Sequence, residues 1–166
     1  YIETTGVDDA GRDGSPAYPW KTLSYACTRA TTTGDTIMVG TGTFNETTQS
    51  VLSVDVSIMG QGVTSIISTT IQTPDAPWDE AASIILSSAS EGTDGSQSIS
   101  HLYFNGNDTI ADAGILVYRR SNVAIHDCTF LRFHYYGVRF KTGAAEPTTY
   151  STGNSFHDNV VYDCGG

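Results

Sequence analysis

Ile125-His126-Asp127-Cys128-Thr129-Phe130 and Phe156-His157-Asp158-Asn159-Val160-Val161 set one pattern twice, 31 residues apart: an apolar residue, the pair His-Asp, then a second apolar residue. Ile99 and Phe104 hold the two apolar places once more, before the first copy. A second motif repeats in the same way, since Gly114-Ile115-Leu116-Val117-Tyr118 returns as Gly137-Val138-Arg139-Phe140-Lys141 after 23 residues. The recurring pieces are too short for helices and alternate apolar with polar, the period of a strand. Repeats of roughly 23 to 31 residues built from such pieces predict coils stacked along one axis, each about 4.8 Å above the last.

Working outward from these repeats, the other apolar pieces are Val54 to Met59, Ser65 to Ile71 and Ser83 to Leu86, each bounded by Gly, Asn, Asp or Ser. Pro19 to Ala30 differs. Trp20, Leu23, Cys27 and Ala30 recur at spacings of three and four, which predicts a helix with Pro19 in its first turn and Gly34 beyond its end. Asp35 to Gly40 then reads as a strand. A stack of coils exposes unpaired backbone at its ends, so the helix is expected to lid the first coil. The chain stops at Tyr162-Asp163-Cys164-Gly165-Gly166 inside a repeat, where further coils or an end-to-end protein partner are expected.

Composition agrees with strands and turns, and 166 residues suit one domain. The net charge of −10 excludes nonspecific nucleic-acid binding, which needs a positive surface. No run approaches the roughly 18 apolar residues of a membrane span, so no membrane insertion is expected. Cys27, Cys128 and Cys164 are odd in number and far apart in sequence, unlike the even, closely spaced set of a disulfide framework, and read as buried thiols. Asn45-Glu46-Thr47 and Asn107-Asp108-Thr109 are sequons that a secretory pathway could use.

The run Pro19-Trp20-Lys21-Thr22-Leu23 through Gly34-Asp35-Thr36-Ile37-Met38-Val39 to Gly42-Thr43-Phe44-Asn45-Glu46 resembles the entry signature of secreted right-handed β-helix proteins of the pectate-lyase-like superfamily. The likeness continues more loosely through Ser121-Asn122-Val123-Ala124-Ile125-His126-Asp127-Cys128. It implies an all-β right-handed parallel β-helix with a short N-terminal capping helix. Residues 1–166 then form a single domain, with 1–35 as N-terminal loop and capping helix and 36–166 as stacked coils. It also implies secretion or display at the cell surface, and a polysaccharide partner.

Fold analogy does not assign chemistry, so two readings stand. One is an extracellular module that binds or, as a lyase, cleaves an acidic polysaccharide. The other is a noncatalytic structural or adhesive module of a surface protein, tailspike or filament.

A lyase acting on a uronic acid must neutralise a carboxylate, take the adjacent proton and protonate the departing oxygen. The segment from Ile115 to Gly143 holds five basic side chains and one acid, against the acidic remainder. If Val138 and Phe140 point inward, Arg139 and Lys141 share the outer side of one strand. They are the first catalytic candidates, followed by Arg132 and His134. Arg119, Arg120, Tyr118, Tyr135 and Tyr136 are candidates for binding substrate. Trp78, in a polar insertion, could stack on sugar or anchor its loop. The alternative for the cations is solvation, or pairing with acids of adjacent coils.

His126 and His157, with Asp127 and Asp158, should form a column. Proton transfer, metal binding and a plain ladder of hydrogen bonds all fit it, and the ladder is preferred. No metal ligand set is assigned. Asp8, Asp9 and Asp13 could offer oxygens to calcium, but their spacing lacks the calcium-loop pattern and predicts an acidic turn. No cofactor is evident. Gly60-Gln61-Gly62 sits among strands and predicts a coil turn.

Overall fold

The computed structural model describes residues 1–72, 81–108, 111–143 and 150–165. Its strands run in five coils. Coil 1 contains β1 (Thr36–Met38), β2 (Gly42–Glu46) and β3 (Ser50–Val51); coil 2 contains β4 (Ser57–Met59), β5 (Ser65–Thr69) and β6 (Ala82–Ser87). Coil 3 contains β7 (Thr93–Ser100), β8 (Tyr103–Asn105) and β9 (Ala113–Tyr118). Coil 4 contains β10 (Arg120–His126), β11 (Thr129–Leu131) and β12 (Tyr136–Lys141), and coil 5 contains β13 (Ser155–His157) and β14 (Val160–Tyr162). Every third strand pairs in parallel. Sheet I is β1-β4-β7-β10-β13, sheet II is β2-β5-β8-β11-β14, and sheet III is β3-β6-β9-β12. The fold is a parallel β-helix.

Register makes the core a set of inward columns. Ile37, Ile58, Ile99, Ile125 and Phe156 align in sheet I, and Phe44, Ile67, Phe104, Phe130 and Val161 in sheet II. Phe104 and Phe130 stack at 4.9 Å between ring centroids, with planes 2° apart. Ile84, Ile115 and Val138 align in sheet III. The repeats legible in the sequence are therefore the ladder partners themselves. Gly114 and Gly137 begin their paired motifs because a Cβ at either would press into Phe130, within 2.9 Å of its side chain.

The helix is shorter than its apolar spacing suggests. α1 spans Leu23–Arg29 and is capped by the Thr22 side chain, which accepts from Tyr25 N. Pro19 therefore lies outside it. Trp20 is instead in a β-bridge with Ile2, and its indole N–H donates to the Arg12 carbonyl at 3.1 Å. Ile2 also bridges Val39, so the N-terminal loop enters the stack as a partner of coil 1. Leu23, Ala26 and Cys27 pack into the core with Phe44 and Leu52, and α1 lids the first coil as expected.

Glu46 joins this lid to β2. Its carboxylate accepts from Leu23 N at 2.7 Å and Ser24 N at 3.2 Å, although the residue is 2% exposed. Burial raises its pKa, and these hydrogen bonds oppose the rise without cancelling it. The acidic loop is likewise taken up by backbone. Asp8 accepts from Lys21 N and Thr22 N, Asp9 from Gly11 N, and Asp13 from Ser15 N. Cys27 and Cys128 are buried free thiols, pushed up to about 12 and about 11 by burial, whereas Cys164 is half-buried.

Arg120 corrects one expectation. Named from sequence as a substrate-binding candidate, it opens β10 and points inward, 2% exposed. Its guanidinium donates to the carbonyls of Leu52 and Ser87, the Ser88 hydroxyl and the Gln97 side-chain oxygen. Gln97 in turn donates to the carbonyls of Ser53 and Val56. Desolvation lowers the Arg120 pKa to about 10, so it remains a cation at neutral pH.

Two predictions follow from these buried groups. Arg120→Ala leaves the acceptors of Leu52, Ser87 and Gln97 unpaired beside a void, and urea denaturation should show a loss of about 3 kcal/mol or more. A raised folded-state pKa means that the stability contributed by the Glu46 proton is complete below the ordinary carboxylate value and lost as pH rises through the raised one. The stability of the native chain minus that of Glu46→Gln should therefore fall as pH rises above the ordinary carboxylate range; a difference that does not change with pH would contradict the burial argument.

Candidate functional site

The outer face of sheet III is built by strand alternation. In β9, Ile115 and Val117 enter the main core, while Leu116 packs outside it with Ala82 and Ala113, flanked by Ile85 and Tyr118. Parallel register then lines up two outer columns. One is Val51, Ile85, Leu116 and Arg139; the other is Ser87, Tyr118 and Lys141. Each column passes from uncharged residues in the early coils to a cation in coil 4. Gln49, Ile85, Ser87, Leu116, Tyr118 and Lys141 line a groove of about 340 Å³.

Tyr118 is the centre of this face. Arg119 Cζ lies 4.7 Å from its ring centroid and Lys141 Nζ 5.7 Å, both within cation–π range. Arg119 also donates to the carbonyls of Ala89 at 3.0 Å and Gly143 at 3.3 Å. Gly143 has to be glycine for this approach, since a Cβ there would sit 1.7 Å from Arg119 Nε. Arg139 extends over the Tyr136 ring at 5.3 Å. An acid among the described residues also stands at this corner. Glu91 accepts from the Ser151 hydroxyl and from Gly143 N, bonds that hold it below the usual carboxylate range.

The remaining candidates lie elsewhere. Arg132, in the turn from sheet II to sheet III, pairs with Asp108 of coil 3 and lies 3.9 Å from Asp163 of coil 5. This is the pairing with acids of adjacent coils that the sequence left open. His134 stacks on Tyr135 at 4.1 Å and stands 3.9 Å from Asp112. Arg132 and His134 thus flank the start of β12, whereas Lys141 is at its end, and the four catalytic candidates do not form one cluster. Tyr135 and Tyr136 line a separate cleft with Val138, Phe140, Phe156 and Val161. Arg120 is withdrawn from the surface by its burial. Trp78 lies outside the described residues.

The His-Asp column is present at the corner between sheets I and II. His126 and His157 stack at 5.1 Å with planes 1° apart, and each Nδ1 meets the carboxylate of the next residue, Asp127 at 2.8 Å and Asp158 at 2.9 Å. His101 joins it from coil 3, 6.0 Å from His126 and edge-on. Sequence reading missed His101 because it stands where later coils carry Asp, not within the His-Asp pair. It also missed Asn154 and Asn159, whose side chains bond the backbone of coil 4 on both sides: Val123 N and Arg120 O, Cys128 N and Ile125 O. Their outward-looking polarity gave no sign of that bracing.

Comparison of the chain with protein-family models, with curated proteins and with solved structures found no match to any of the three.

Proposed function

We propose that the chain is an extracellular module that holds acidic polysaccharide against the outer face of sheet III, in the manner of the pectate-lyase-like β-helix proteins its entry signature resembles. The observation that carries this reading is the register of Tyr118 with Lys141 and of Leu116 with Arg139, which sets an aromatic ring and an apolar side chain directly beside two cations. Sugars are bound by such mixtures, a flat ring for the apolar sugar face and charge for the carboxylate. A pyranose chain running along the stack would meet equivalent positions about every 4.8 Å.

Elimination is the chemistry this set could perform. Arg139 would neutralise a uronate carboxylate, Lys141 would take the proton beside it, and the Tyr118 hydroxyl would protonate the departing glycosidic oxygen. Purified chain incubated with a panel of uronate polysaccharides should generate an unsaturated product absorbing near about 235 nm, the mark of elimination. Binding is tested separately from cleavage. Replacing Arg139 and Lys141 together by Ala should weaken binding to the same glycans about tenfold or more and flatten its salt dependence. Unchanged binding would move the site off this face.

A second reading, a structural module that assembles end to end, is favoured by a different observation. Phe156 and Val161 on coil 5 are exposed although they continue the columns Ile58-Ile99-Ile125 and Ile67-Phe104-Phe130, which are buried in coils 2 to 4. If association through this surface is the function, sedimentation should show concentration-dependent oligomers that Phe156→Asp abolishes without altering the melting of the single chain.

A further inference from the structure

We propose that the corner shared by coils 3 and 4 binds a divalent transition-metal ion of the zinc class through His101, His126 and Asp127. The backbone makes the site. Where sheet I turns into sheet II, one residue per coil adopts a left-handed conformation: His101 at φ 56°, Asp127 at φ 53° and Asp158 at φ 55°. Parallel stacking superposes these turns, so the imidazole of coil 3 comes to lie beside the carboxylate of coil 4.

The ligand atoms converge. Asp127 Oδ2 is 2.8 Å from His126 Nδ1 and 3.9 Å from His101 Nε2, and one ligand atom from each of the three residues lies within 4.8 Å of the others. Ligands about 2.0–2.2 Å from a tetrahedral ion stand roughly 3.3–3.5 Å apart, a separation that the two distances to Asp127 bracket. The side chains are at the surface and can close on an ion by small rotations. His101 Nδ1 is enclosed and without a hydrogen-bond partner among the described residues, which leaves Nε2 as the nitrogen offered outward. Asp127 supplies the carboxylate oxygen of the set.

Donor type selects the ion. Two imidazole nitrogens and one carboxylate oxygen suit zinc, cobalt, nickel or copper, whereas calcium and magnesium require oxygen sets. Three protein ligands on an open corner leave a position for water. His157 forms the outer wall, stacked on His126 and tied to its own Asp158. The column taken alone is a stack of imidazoles, each bonded to the Asp that follows it in its own coil, and what turns it into a chelate is His101. An ion there would join two coils and, by binding only the folded chain, would stabilise it.

The test is calorimetric titration of the untagged chain with zinc chloride, together with thermal melts and the spectrum of the cobalt-loaded protein. One equivalent should bind with micromolar affinity, and saturating zinc should raise the melting temperature by about 5 °C or more. Cobalt should give visible bands without a near-ultraviolet thiolate band. His101→Asn and Asp127→Asn both keep a residue that tolerates the left-handed turn, so their metal-free melts should match the native chain while zinc binding weakens at least tenfold. The proposal is overturned by the absence of saturable binding at millimolar zinc, by binding that survives both substitutions, or by a thiolate band that places the ion on Cys164.

Discussion

Parallel pairing of each strand with its counterpart one coil away is the constraint from which the rest of this structure derives. It fixes equivalent positions at a constant spacing and in constant orientation. An inward residue therefore has to tolerate its own kind above and below, which is why aliphatic and aromatic side chains run in unbroken columns through sheets I and II. The same constraint acts outside the core. Charges, rings and imidazoles are placed side by side by register, not by proximity in sequence, and the two candidate sites are both consequences of that superposition.

Much of this was legible from residues. The repeats Ile125-His126-Asp127 and Phe156-His157-Asp158 are neighbours in sheet I, and Gly114 to Tyr118 lies against Gly137 to Lys141 with the register their similarity implies. Apolar alternation is visible because burial demands it. The helix was visible too, but its start was misplaced by four residues, since Trp20 meets the helical spacing while actually pairing with Ile2. Spacing reports which residues are buried and says little about which element buries them.

Polar residues that serve the interior were the part that could not be read. Arg120 follows Arg119 in sequence, and nothing in that dipeptide distinguishes the side chain that caps a tyrosine ring from the one that enters the protein. The polar first half of β7, Thr93 to Gln97, was passed over for the same reason, because Gln97 faces inward to meet Arg120 and not a hydrophobic neighbour. The basic segment consequently divides into separate groups: Arg119, Arg139 and Lys141 about sheet III, Arg132 between two acids, and Arg120 inside. Net charge along a segment predicts a surface patch only when all its side chains reach the surface.

Arg120 also alters how the stack should come apart. An ideal solenoid is one-dimensional: each unit touches only the next, and stability propagates through nearest-neighbour terms. Here one guanidinium at the start of coil 4 reaches acceptors at the ends of coils 1 and 2 as well as the side chain of Gln97 in coil 3, bridging 68 residues to Leu52. Removing coil 4 would strip donors from all three coils beneath it. The first four coils are thereby linked through one residue and should unfold as a cooperative block, while coil 5, which the Arg120 guanidinium does not reach, should be the first to separate.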